Sequence, residues 1–210
     1  MAVSIEFTEE MKGFVTFGET DYQRGREEGE KKNSTLMFHL RITLEDVTRF
    51  ISDPEHPGRA DGYIRCPQLG AGDCLVENGA FNLFVQGGDA NRKLMLYRLF
   101  SSDDNGQPFT LSGFKNVADD PACDAAEIWK DTSTLYTRIL RGHVSASVEK
   151  TGAEVLASGI INILKLDFLE QLTTFKTSGG TREERIAAQI GFGKLFLGSL
   201  WDVYGSKFEH

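Results

Sequence analysis

The sequence predicts an all-β-dominated protein: an antiparallel β-barrel of about eight strands with short helices and a C-terminal helical segment. The same strands would also suit a β-sandwich. Three observations carry this. Many short segments alternate apolar and polar residues with period two. Turn-forming clusters separate them at short intervals. Helical periodicity is confined to a few short stretches and the tail.

Lys12–Phe17 reads as the first strand. Residues 18–34 are rich in charge, interrupted by Gly18, Gly25 and Gly29, and read as a long solvated loop or lid, or a frayed helix. In Leu36–Ile42 the residues Leu36, Phe38, Leu40 and Ile42 share one parity, which is a half-buried strand. Thr43–Ile51 changes period, with Thr43 as the cap, Asp46 three residues on, and Val47, Phe50 and Ile51 on one face. Asp53-Pro54 stops that helix.

Further strands are predicted at Ala60–Cys66, Cys74–Val85, Lys93–Phe100, Phe109–Val117, Thr132–Val144 and Glu154–Lys165. The turn signals between them include Gly87-Gly88-Asp89 and Asp103-Asp104-Asn105-Gly106, the latter predicting a primed hairpin turn. A weak echo links Leu40–Val47 to Ile163–Leu169, each a strand running into a short helix, with Phe168, Leu169 and Leu172 packing inward. Ser178-Gly179-Gly180 reads as a linker and Thr181-Arg182-Glu183-Glu184 as a capping box. The expected organisation is a barrel over residues 1–177 and a helical segment over 178–210 that packs on the barrel or on a partner.

An excess of 31 acidic over 23 basic residues gives a charge of −8, which argues against sequence-independent nucleic-acid binding. With 40% hydrophobic residues the chain has the composition of a folded domain. Cys66, Cys74 and Cys123 include no C-x-x-C pair, so reduced thiols are expected, although Cys66 and Cys74 could meet across a hairpin. The N-terminal residues have neither a basic nor an apolar signal region, and no apolar run reaches the ~18 residues of a membrane span. Asn33-Ser34-Thr35 is then a chance sequon, and the expected location is the cytoplasm.

The tract 109–143 is the most suggestive of chemistry. Thr134, Tyr136 and Arg138 share one parity, while Leu135, Thr137, Ile139, Arg141 and His143 share the other. If the first set faces inward, Tyr136, Arg138 and Lys115 are the candidate catalytic groups. Arg138 or Lys115 would hold an anionic or carbonyl group, and Tyr136 would donate a proton. Tyr97, Arg98, Phe114, Trp129 and Thr134 are the candidate ligand-binding residues. If that set faces outward, Arg138 is a cross-strand surface residue and Tyr136 lies at the rim. Both faces carry apolar residues, so parity leaves the choice open.

His39, His56, His143 and His210 form no metal-ligand pattern, and neither a metal nor a cofactor is expected. Asp103-Asp104 and Asp119-Asp120 are acidic pairs that calcium loops sometimes use, but no twelve-residue loop is present. No G-x-S-x-G elbow or phosphate loop occurs.

Several runs taken together have a familiar look. They are residues 7–14, Asp53–Pro57, Glu77–Phe84, Tyr97–Phe100, Leu111–Lys115, Asp131–Tyr136 and Phe196–Tyr204. Over about residues 7–205 the chain resembles an accessory region of large bacterial proteins. That region accompanies glucose–methanol–choline oxidoreductase domains of the cholesterol-oxidase-like type. The resemblance implies an association with sterol or lipid-like metabolism, and an oxidoreductase or other pathway enzyme as partner. It does not carry FAD over: Gly70-Ala71-Gly72-Asp73-Cys74-Leu75 lacks the third glycine and runs into a strand. The expected function is small-molecule binding, or an accessory role, by a lipocalin- or calycin-like barrel with an apolar pocket. The alternatives are a cyclase or isomerase that acts by holding its substrate in a reactive conformation, and a structural partner-binding domain. A homodimer through the aromatic segment 190–204 would fit the last.

Overall fold

A computed structural model describes residues 1–88, 92–118, 130–163 and 175–204, with the backbone alone for residues 118 and 196–204. Eight strands close an antiparallel barrel. They are β1 (Ser4–Phe17), β2 (Thr35–Leu44), β3 (Pro57–Arg65), β5 (Asn78–Gln86), β6 (Arg92–Ser102), β7 (Pro108–Ala118), β8 (Thr134–Arg141) and β9 (Val155–Asn162). Each pairs with the next, and β9 returns to β1. Two short strands are added at the edges: β4 (Cys74–Leu75) on β3 and β10 (Lys176–Ser178) on β1. Helices flank the barrel, among them α1 (Tyr22–Lys31), α2 (Val47–Ser52), α3 (Ala146–Gly152) and α4 (Arg182–Tyr204). The barrel, not the sandwich, is the fold.

Alternation drives the closure. Ile5, Phe7, Met11 and Val15 of β1 face inward, as do Leu36, Phe38, Leu40, Ile42 and Leu44 of β2. Phe109 and Leu111 of β7 and Leu135 and Ile139 of β8 continue the lining. A strand shifted by one residue would turn all of these to solvent, so the apolar rows fix the register. β1 is longer than predicted because it serves two partners. Ser4–Glu6 pair with β10 and Lys12–Phe17 with β9.

Of the readings for residues 18–34, a solvated loop or lid or a frayed helix, the structure takes the helix, over Tyr22–Lys31. The Asp21 side chain accepts from the Arg24 N–H at 2.8 Å and caps α1. The helix lacks an apolar stripe, which is why periodicity missed it. It is seated by glycines instead. Gly25 and Gly29, one turn apart, lie against the β9 and β1 backbones. A Cβ would come within 2.0 Å of the Ser158 carbonyl oxygen at Gly25 and 2.5 Å of the Val15 carbonyl oxygen at Gly29. The Thr16 hydroxyl donates to the Gly25 carbonyl at 2.8 Å, and Tyr22 supplies the aromatic anchor.

Two other expectations change. Thr43 belongs to β2, which runs on to the fully buried Leu44, so Asp46 caps α2 by accepting from the Arg49 N–H at 3.0 Å. The 103–107 loop is not a primed turn. Gly106 has φ +73 while Asn105 does not share a positive φ, and the Asp103 carboxylate accepts from the N–H groups of Asn105 and Gln107. The capping box is present as read. The Thr181 N–H donates to Glu184 Oε2 at 2.6 Å, and the Glu184 N–H to Thr181 Oγ1 at 3.2 Å. It starts α4, whose buried Phe192 packs on Phe7, Phe50 and Phe175 at one barrel end. The second strand–helix corner, with Phe168, Leu169 and Leu172, lies outside the described residues. Among the described residues no helix is long and apolar enough to cross a membrane.

Gly25→Ala is expected to destabilise the fold by about 1–3 kcal/mol, because a backbone carbonyl must move to admit the methyl group. Gly72→Ala, where a Cβ meets nothing within 4 Å, is the control and shifts stability by less than about 0.5 kcal/mol. Urea unfolding of both variants measures the difference.

Candidate functional site

The inward row of β1 reads Ile5, Phe7, Glu9, Met11, and that of β7 reads Phe109, Leu111, Gly113, Lys115, Val117. Each row is apolar apart from one charged residue. Glu9 is 3% exposed and Lys115 2%. β1 and β7 are not neighbours in the barrel wall, so the two side chains meet across the interior. Lys115 Nζ donates to Glu9 Oε1 at 2.5 Å. The hydroxyl of Tyr97, an inward residue of β6, donates to Glu9 Oε2 at 2.8 Å. Lys115 Nζ also lies 5.2 Å from the Tyr97 ring centroid, within cation–π range.

The three residues sit together because the ladder places them. Met95 pairs with Lys115 and Tyr97 with Gly113, so Tyr97 and Lys115 are diagonal inward neighbours on adjacent strands. The Tyr97 ring is held by Phe38, stacked at 5.9 Å, and Phe81, edge-on at 5.1 Å. Burial pushes the Tyr97 hydroxyl well above the ordinary phenol range, and the adjacent Glu9 charge and hydrogen bond push the same way. Tyr97 therefore stays protonated and acts as a donor. The trio lies toward the end of the barrel where β1 begins and β5, β7 and β9 finish.

Of the eight residues singled out from the sequence, the structure brings Lys115 and Tyr97 together inside. The expectation that Tyr136, Arg138 and Thr134 line the interior is corrected: their face of β8 is the outer one. Leu135, Thr137 and Ile139 point inward and are fully buried. The outer face carries apolar groups because α1 covers it, which is why parity was ambiguous. Tyr136 stacks on Phe114 at 5.2 Å, and Tyr22 of α1 meets both edge-on. The Arg138 guanidinium lies 4.6 Å from the Tyr22 ring centroid and donates to the Thr20 carbonyl at 3.4 Å. Thr134 Oγ1 accepts from Asn162 Nδ2 at 3.0 Å. Arg98, also outward, donates to the Val144 carbonyl at 2.7 Å and to Glu149 at 2.5 Å, tying α3 to the wall. Tyr136, Arg138 and Arg98 fasten helices to the barrel, and Thr134 ties β8 to β9. Trp129 lies outside the described residues, as do Asp119, Asp120 and Cys123.

Glu9 was missed because the first strand was started at Lys12. The signal was present: the alternation Ile5, Phe7, Met11 extends the strand and leaves an acid on its apolar parity. The described histidines and Asp104 have local partners. His39 Nδ1 is 3.2 Å from Glu10 and its ring stacks on Tyr63, His56 Nδ1 meets the Leu83 carbonyl at 2.8 Å, and His143 meets the Ser101 carbonyl at 3.2 Å. Asp104 accepts from the Ala71 N–H at 2.7 Å. No group of three or more potential metal ligands occurs among the described residues. Cys66 and Cys74 are free thiols, and burial pushes Cys66 up to about 11.

No family model, curated protein or solved structure matches this chain.

Removing one member of the buried pair leaves an uncompensated charge in an apolar interior. Glu9→Leu and Lys115→Met are each expected to cost about 3–5 kcal/mol, while the double variant regains most of the loss. A double-mutant cycle by urea unfolding measures this. The folded state holds the Cys66 proton more tightly than the unfolded chain, whose thiol titrates near 9. That contribution is whole below about pH 9 and is lost as pH rises toward 11, by roughly 2 kcal/mol. Cys66→Ala is expected to flatten the fall over this window, and Tyr97 adds a loss of the same sign above pH 10 in both proteins.

Proposed function

We propose that the barrel is a binding chamber for a small, largely apolar molecule, lipid- or sterol-like, that presents one oxygen function to Glu9, Tyr97 and Lys115. The observation that carries this reading is the buried trio. Ligand sites combine apolar walls with a few convergent polar groups, and the trio supplies two donors and one acceptor at one point of an apolar lining. A buried ion pair is a poor source of stability compared with apolar residues of the same volume. Its use here suits a role in holding a polar group.

The same geometry favours a second reading, in which the barrel acts as a cyclase or isomerase. A carboxylate beside a protonated phenol is a base next to an acid, the minimum for moving a proton within a held substrate. An accessory role beside an oxidoreductase or other pathway enzyme would use an outer surface. Exposed Ile186 and Ile190, one turn apart on α4, suit such a contact or a homodimer. The free thiols Cys66 and Cys74 agree with a reducing, cytoplasmic setting.

Native mass spectrometry after incubation with small apolar alcohols, ketones and a sterol tests the chamber. A one-to-one complex is expected, at least ten-fold weaker in Glu9→Gln and Tyr97→Phe and unchanged in Tyr136→Phe. Equal retention by Glu9→Gln, or retention of no member of the panel, overturns the reading.

A further inference from the structure

Lys115 is the buried lysine among the described residues, and it brings a primary amine into an apolar interior. A hydroxyl donor placed there would recognise an oxygen function equally well. An amine can also bond covalently to one class of oxygen function, the carbonyl. We propose that Lys115 captures apolar aldehydes and ketones as a Schiff base, with Glu9 as proton carrier and counter-ion. This inference rests on the chamber reading and specifies its ligand class.

The geometry supplies each part of the reaction. Glu9 Oε1, 2.5 Å from Nζ, takes one proton from the ammonium and leaves a free amine. The amine lone pair forms the N–C bond, the carbonyl π pair moves to oxygen, and a second proton passes from nitrogen to that oxygen. Glu9 returns its proton to the hydroxyl of the resulting carbinolamine. The C–O bond then breaks, water leaves, and the nitrogen lone pair closes the C=N bond. Ammonium plus carbonyl has become iminium plus water, with the positive charge still on nitrogen and the negative charge still on Glu9. No oxidant or other reactant is needed.

The surroundings favour the product. The iminium inherits the partner that the ammonium had, so no charge is left unpaired. The Tyr97 hydroxyl occupies Glu9 Oε2, which directs Oε1 to the nitrogen, and the ring 5.2 Å from Nζ attracts a cation. An apolar interior also excludes the water that would hydrolyse the C=N bond. The lining of Phe38 and Phe81 around Tyr97 selects a hydrophobic carbonyl compound over a sugar or an oxo acid.

The test uses the whole chain at pH 7.5 with decanal as probe, sodium cyanoborohydride to trap the imine, and intact-mass and peptide mapping. Label on Lys115 is expected at ten-fold or more over any other lysine, with trapping at least ten-fold slower in Glu9→Gln and no interior label in Lys115→Arg. With cinnamaldehyde, a protonated imine is expected to absorb at longer wavelength than the free aldehyde. Label confined to other lysines overturns the proposal, and the wild-type map decides this even if Lys115→Arg does not fold. Retention of 1-decanol in native mass spectrometry without Lys115 labelling ends the Schiff base and leaves the chamber; loss of both ends both.

Discussion

The contact between Glu9 and Lys115 constrains the whole barrel. Two charges are buried in an apolar interior, and each is tolerable only because the other is within hydrogen-bonding distance. That distance is set by strands remote from one another in the wall. β1 must present Glu9 inward, β7 must present Lys115 inward, and every ladder between them must keep its register. A slip of one residue in any of these pairings would put a charge against apolar side chains or strip it of its partner. The pair adds little net stability, yet it penalises alternative registers heavily. Tyr97 adds to this by donating to the second carboxylate oxygen, so each oxygen of the acid has a donor.

The outer surface is organised differently. Tyr22, Phe114, Tyr136 and Arg138 form a half-buried aromatic and cationic patch under α1, while Arg98, Ser112 and Glu149 form a polar one under α3. Both attach helices to a wall that would otherwise be wet. The barrel thus keeps its chemically unusual groups inside and uses ordinary aromatic and ionic contacts outside.

The fold was legible because period-two patterning is a direct record of which side chains face inward. Leu36, Phe38, Leu40 and Ile42 announce a strand without help from tertiary structure, and Thr181 with Glu184 announces a helix start. The site was half legible. Lys115 and Tyr97 drew attention as polar groups on strand patterns, but their partner is 88 and 106 positions away and is brought to them only by closure. Tyr136 and Arg138 misled for a physical reason: a strand covered by a helix is apolar on both faces, so alternation no longer distinguishes inside from outside. α1 was only faintly legible for a related one. Its seat is made by the absence of side chains at Gly25 and Gly29, and no hydrophobicity pattern records that.

Those two glycines touch a particular pair of strands. Gly25 rests on β9 and Gly29 on β1, the two strands whose pairing shuts the cylinder. That seam is held over Lys12–Phe17 alone, whereas β6 and β7 pair along eleven positions. The helix therefore works as a clasp across the joint that closes the wall. A parted seam would turn the ring into an open ribbon with two raw edges, each a template for intermolecular strand pairing. A segment whose sequence suggests a solvated loop covers the joint where such edges would appear.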